Sequence, residues 1–284
     1  MRMLVVAQNK GGVGKTTISR IACEYFARQG YRVLGLDFDS QCNFSRRFTM
    51  MDYNQSDPDG VCPARHPSYV PDQVDKWDGR SSTADIFTPN SIVVPYPSWV
   101  NGLDVLPGHG EQLRGLESQA KDTTQRLSAM LGEFLDKVQD RYDVVIVDTS
   151  PSKGALTRCA MMVASHLLIP TLLEPQSAEG LVGMLTLWRT VNTKRKKPLE
   201  IIGILPNRVK KVGLHEGLLE GLKANAGTGR LITPVMLGDR VAFAEADHVH
   251  AKPRSVFDLA KSNAARKEAE AVGEFIKARL FGRT

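Results

Sequence analysis

The stretch Asn9-Lys10-Gly11-Gly12-Val13-Gly14-Lys15-Thr16-Thr17 gathers the groups that hold a polyphosphate. Gly11, Gly12 and Gly14, with Val13 in the same turn, let backbone N–H groups converge on phosphate oxygens without a Cβ in the way. Lys15 has the reach for the β- and γ-phosphates, the Thr16 hydroxyl suits Mg²⁺, and Thr17 falls beside the α-phosphate. The stretch departs twice from the general pattern G-x-x-x-x-G-K-[ST]: Asn9 occupies the first glycine position, and Lys10 adds a second cation. Two further stretches supply acids. Asp148 ends the apolar run DVVIVD (Asp143–Asp148), where a Mg²⁺ partner belongs. Asp37 and Asp39 end YRVLGLDFD (Tyr31–Asp39). Two residues apart, they share one side of a strand. One of them can orient an attacking water, and Asp39, nearer the strand end, is the better placed.

These side chains need a scaffold that brings three strand ends together. Met3–Ala7 is a continuous apolar run and reads as a buried strand. Thr16–Arg28 has Ile18, Ile21, Ala22, Tyr25 and Phe26 at helical spacing, with Gly30 as a stop. Tyr31–Asp39 completes a right-handed βαβ unit. Further strands are expected at Leu103–Leu106, Asp143–Asp148, His166–Pro170 and Glu200–Leu205. Helices are expected over the stripe Leu127, Met130, Leu131, Phe134, Leu135 and Val138, over Ala178–Thr193 and over Ala264–Leu280. The fold class is therefore α/β, a mostly parallel twisted sheet with helices on both faces. Residues 1–284 read as one domain with a loop-rich surface insertion at about 45–101, in which Thr83–Phe87 is a short helical patch. In such a sheet, ligands sit at the carboxyl ends of the strands.

Composition narrows the class. With 42% hydrophobic and 24% charged residues in 284, the chain is ordinary for a globular protein. No apolar run reaches the ~18 residues of a membrane-crossing helix, and the N-terminus lacks a signal-peptide layout. Cys23, Cys42, Cys62 and Cys159 form no C-x-x-C pair, which argues against a zinc site or a disulfide framework and fits a reducing cytoplasm. The net charge of +6 is compatible with a solvated basic surface or with an anionic partner.

"KGGVGKTT", "DFDSQCN" and "VVIVDTSPS", followed by "LIPTLLEPQSAEGL", "LPNRV" and "FAEA", resemble the ParA/MinD family of deviant-Walker P-loop ATPases over nearly the whole chain. The resemblance implies an ATP hydrolase using ATP and Mg²⁺. Lys10 is then the signature lysine that reaches the partner subunit's nucleotide in a face-to-face homodimer. Charge compensation in the transition state thereby becomes conditional on dimerisation. Gly11, Gly12, Gly14, Lys15, Thr16 and Thr17 match the phosphate loop, Asp39 the water-positioning acid that also stands near the metal, Asp148 the Walker B acid and Asn207 the adenine contact. Ser40 replaces the proline of the usual DxDPQ, and Leu237-Gly238-Asp239 stands where many members have IPR. Gly238 is thus an adenine-site candidate on a departed motif.

Three outputs of such a cycle differ in class. The ParA-like output is an ATP-dependent dimer on nonspecific DNA at the nucleoid, released by a ParB-like adaptor. The candidate phosphate contacts are Lys194, Arg195, Lys196 and Lys197, and Arg208, Lys210 and Lys211, with Lys252, Arg254 and Arg266 weaker. The two clusters flank one strand, so only Arg208–Lys211 lies at the nucleotide edge. The MinD-like output is membrane positioning through the tail "EFIKARLFGRT", where Phe275, Ile276, Leu280 and Phe281 adjoin Lys277, Arg279 and Arg283. The stripe continues back through Ala271 and Val272, which favours a helix docked on the core. An electron-transfer ATPase would need cluster-bridging cysteines, and Cys62 in the insertion and Cys159 inside a helix are poorly placed. Only eight residues precede Asn9, so an N-terminal helix-turn-helix domain is not expected.

Overall fold

The computed structural model describes residues 1–53, 60–71, 77–119, 123–248 and 254–282. Lys252 and Arg283 lie outside them. The sheet comprises β1 (Arg2–Val6), β2 (Val33–Phe38), β5 (Tyr96–Pro97), β6 (Leu103–Leu106), β7 (Val144–Thr149), β8 (His166–Leu172) and β9 (Glu200–Asn207). Their order is β5-β6-β2-β7-β1-β8-β9, parallel throughout except for β5, which runs antiparallel at the edge. The α/β class is as expected, a mostly parallel sheet with helices on both faces. Strands this apolar on both faces need cover on both. One layer packs Met3, Val5, Leu34, Leu36, Val145 and Val147 against α3 (Gly110–Glu117), α4 (Thr124–Val138), α5 (Ala155–Val163) and α6 (Ser177–Asn192). The other packs Leu4, Val6, Val33, Val144 and Ile146 against α1 (Lys15–Arg28) and α9 (Ala264–Phe281).

The terminal helix α9 buries Ala265, Ala269, Val272, Gly273, Ile276 and Leu280. A Cβ at Gly273 would strike the Tyr25 ring, so glycine sets the close approach of α9 to α1. Phe281 stacks on Tyr31 at 5.1 Å. The apolar stripe of the tail is thus spent on the core. None of the described helices is long and apolar enough to cross a membrane.

The segment expected as a surface insertion is more structured than its composition suggests. It opens with α2 (Asn43–Phe48), and β3 (Met51–Tyr53) pairs antiparallel with β4 (Val61–Pro63). The patch at Thr83–Phe87 is a 3₁₀ turn held by a reciprocal capping box between Ser82 and Asp85. Phe44, Phe48, Ile86, Phe87, Tyr96 and Val100 are buried, which fastens the segment to both layers. Two further helices, α7 (Gly213–Ala224) and α8 (Val241–Asp247), follow β9. All four cysteines are free.

Candidate phosphate-binding site

The parallel register fixes the site. Val6 at the end of β1 pairs with Asp148 of β7, and Asp148 pairs with Asp37 of β2, so the glycine loop and both acidic strand ends meet at one edge. Between β1 and α1 the chain reverses through Gly12 at φ 72° and Gly14 at φ 89°, left-handed conformations that favour glycine. At Gly14 space is also short, because a Cβ there would collide with the Asn207 amide. That amide donates to the Val13 carbonyl at 2.8 Å, and its Oδ1 accepts from the Arg208 N–H at 2.9 Å. Asn207, the last residue of β9, therefore braces the loop from the side.

Lys15, at the start of α1, is 6% exposed. Its ammonium reaches the Lys10 carbonyl at 3.4 Å. Burial pushes its pKa down, and Asp148 and Asp39 only partly offset this. The Thr16 hydroxyl donates to Asp148 Oδ2 at 2.8 Å and the Ser19 hydroxyl to Oδ1 at 2.9 Å. Asp148 is wholly buried; burial and the neighbouring Asp37 raise its pKa to about 8 against the pull of these two hydroxyls. Asp37, also wholly buried, is raised to about 7, again mainly by burial. A hydroxyl and a carboxylate side by side, both hard oxygen donors, fit a Mg²⁺ that keeps several waters and shares substrate phosphates. Among the described residues no three His, Cys, Asp or Glu side chains gather into an all-protein metal cage, and a Mg²⁺ of this kind does not need one.

The two acids of β2 part ways. Asp37 accepts from the Asp39 N–H at 3.0 Å and from both the N–H, at 2.9 Å, and the hydroxyl of Ser45, at 2.5 Å. It organises the start of α2. Asp39, 8% exposed, uses Oδ1 to accept from the Gln41 N–H at 3.0 Å. Lys10 turns back on its own chain, its ammonium 2.6 Å from Glu174 in a half-exposed ion pair. Thr17 donates to Asp247 at the end of α8, at 2.9 Å. The Gly238 N–H donates to Glu268 at 2.9 Å, and Gly238 bridges to Val209, beside Asn207.

The basic candidates are not equivalent. Arg195 directs its guanidinium at three carbonyls, those of Met161 (2.5 Å), Ala164 (2.5 Å) and Lys197 (2.9 Å). Arg266 is tied to Glu270 at 2.8 Å and to the Leu259 carbonyl at 2.7 Å. Lys210 pairs with Asp239 at 3.4 Å. Arg208, Lys211, Lys194 and Lys197 are exposed, with Lys196 among them. Sequence reasoning overlooked Ser19, Glu174 and Asp247. Ser19 was legible, since it follows Thr16 by three residues on a helix and so shares its face. Glu174 and Asp247 carry no local signal.

A family model described as an AAA domain matches residues 1–201. IncC of Escherichia coli is 28% identical over 247 residues, 87% of this chain but 61% of IncC's own length. A ParA family protein of Chlamydia trachomatis is 27% identical over 270 residues, 94% of each chain. A solved McdA–ATP complex from Cyanothece superposes with TM-score 0.72 over 98% of this chain and 96% of that one, at 16% identity, a likeness of fold.

Proposed function

The chain belongs to the AAA-domain family, in the ParA/MinD group of P-loop ATPases, and we propose that it hydrolyses ATP with Mg²⁺ to drive DNA partition. Here ATP binding closes a homodimer that holds nonspecific DNA, and a ParB-like adaptor stimulates hydrolysis and releases it. Gly11, Gly12, Val13, Gly14 and Lys15 hold the phosphates, Asn207 and Gly238 border the adenine, and Thr17 borders the α-phosphate. Thr16 and Asp148, side by side at the strand ends, would hold a Mg²⁺ with Asp39 nearby, and the ion would supply charge neutralisation for the phosphates. Asp39 orients the water. Arg208, Lys210, Lys211, Lys194, Lys196 and Lys197 are the DNA contacts, acting in the cytoplasm at the nucleoid; the exposed Lys210–Asp239 pair is as easily released as other surface pairs. A membrane role is disfavoured because α9 spends its apolar face on α1.

The observation that carries this proposal is the Lys10–Glu174 pair. A second lysine in the loop, held among the described residues by a half-exposed ion pair, costs about 0–1 kcal/mol to release. It can leave Glu174 for a partner's nucleotide. In sedimentation with ATP, Lys10→Ala is expected to bind nucleotide but fail to dimerise. Glu174→Gln should raise dimer affinity by up to about five-fold, the equivalent of about 1 kcal/mol. Normal ATP-dependent dimerisation of Lys10→Ala would remove the in-trans lysine.

Asp39→Ala should still dimerise on ATP but hydrolyse slowly and accumulate on DNA, with binding falling steeply in salt. Fast turnover by that variant would move the water-positioning role elsewhere.

A further inference from the structure

Beside α1, a cleft of about 520 Å³ is lined by Thr16, Arg20, Asn43, Arg46, Arg47, Asp247 and His248. It shares only Thr16 with the phosphate-loop residues. Its walls come from α1, from α2 and from the end of α8.

The cleft carries more guanidinium than it can satisfy. Arg20 and Arg47 are each 5% exposed. Among the described residues, Arg47 Nε and Nη2, Arg46 Nε and Arg20 Nε are buried without a hydrogen-bond partner. Among the described residues the Arg47 guanidinium has a ring but no acceptor: it stands 4.8 Å from the Trp99 ring centroid. Arg254 lies 5.9 Å from the same ring and adds positive potential. Arg46 stands over Tyr53 at 5.6 Å.

The facing acids are already engaged. Asp247 pairs with Arg20 and accepts from Thr17. Glu24 lies 3.8 Å from Arg20, accepts from Ser255, and is pushed toward its neutral form by burial. A buried guanidinium with unmet donors is costly, and a counter-ion relieves that cost. Forked guanidinium donors from two helices, with the Asn43 amide at the rim, match the several oxygens of a phosphate group better than the two of a carboxylate.

We propose that this cleft is a second anion site, which takes inorganic phosphate or the phosphate group of a small monoester on Arg46, Arg47 and Asn43, with Arg20 behind them. Asn43 opens α2, four residues after Asp39, and Thr16 lies in the first turn of α1. Occupancy would therefore clamp the two helices that flank the acidic strand ends. The proposal does not depend on DNA partition or on dimerisation.

The test must silence the phosphate loop, which also attracts phosphate. In Lys15→Ala, without Mg²⁺ or nucleotide, 20 mM phosphate is expected to raise Tm by about 2 °C over chloride at equal ionic strength. Adding Arg47→Gln should abolish the rise. Because Arg47 also packs on Trp99, Arg46→Gln, at a half-buried position, is the second variant and should at least halve it. Phenyl phosphate in place of phosphate separates the sources: an equal rise marks a monoester site, and a rise with free phosphate alone marks an inorganic-phosphate site. A rise undiminished in both arginine variants would overturn the site, as would a rise seen in the wild type but absent from Lys15→Ala.

Discussion

Replacing Lys15 with alanine is expected to weaken ATP binding by two to three orders of magnitude and, without nucleotide, to raise Tm by about 1–3 °C. Both effects follow from one fact. The ammonium is 6% exposed, and its hydrogen bond among the described residues is a long one, 3.4 Å, to the Lys10 carbonyl. It has given up water without gaining full compensation, which is why burial depresses its pKa. A triphosphate supplies the missing acceptors. Truncating one member of a buried, hydrogen-bonded charge pair costs about 2–5 kcal/mol, or roughly thirty- to several-thousand-fold in affinity. Before ligand arrives the same charge is a liability, so its removal stabilises the empty protein. Calorimetric titration with ATP and a thermal melt of the apo form check the two halves separately. Binding within three-fold of wild type would take Lys15 out of the phosphate site. A Tm several degrees lower would make it a structural strut.

Much of this site was legible because its signals are local. The glycines, Lys15 and Thr16 are fixed by spacing, and Asp148 by its place after four apolar residues on a parallel strand. β6 occupies the expected Leu103–Leu106, and α1 and α9 differ from expectation by one residue at an end. What escaped depended on partners distant in sequence. α2 escaped because Ser40, Gln41 and Asn43 read as turn residues, whereas Asp37, 8 residues back, anchors Ser45 and sets the helix start. β5 is two residues long and exists only through pairing with β6. α7 has no buried residue, so its pattern is not that of a core helix. Arg195 illustrates the converse: a run of four basic residues looks uniform, yet one of them is a clamp on the end of α5.

Loading Mg²⁺ at neutral pH is expected to release about one proton. Asp148, raised to about 8 by burial and by Asp37, holds a proton at pH 7 in the metal-free fold, whereas the unfolded chain has lost it near pH 4. Asp37, raised to about 7, shares the same charge, so the two titrate as a pair. A metal ligand must be deprotonated, so Mg²⁺ affinity should rise by up to ten-fold per pH unit as pH approaches about 8, then level off. For stability the sign is opposite. Between about pH 4 and 8 the folded state binds more protons than the unfolded state, so metal-free stability falls as pH rises, by up to about 1.4 kcal/mol per unit for each group. Saturating Mg²⁺ and nucleotide should flatten that slope. Asp148→Asn should steady the metal-free fold at pH 8, because the buried carboxylate can no longer ionise, while lowering Mg²⁺-dependent nucleotide affinity by more than ten-fold. Calorimetry of Mg²⁺–nucleotide binding at pH 7, in two buffers of different ionisation enthalpy, counts the proton directly. Equal heats in both buffers, with a flat metal-free stability profile from pH 5 to 8, would mean that Asp148 is already ionised and that its hydroxyl partners, Thr16 and Ser19, outweigh its burial.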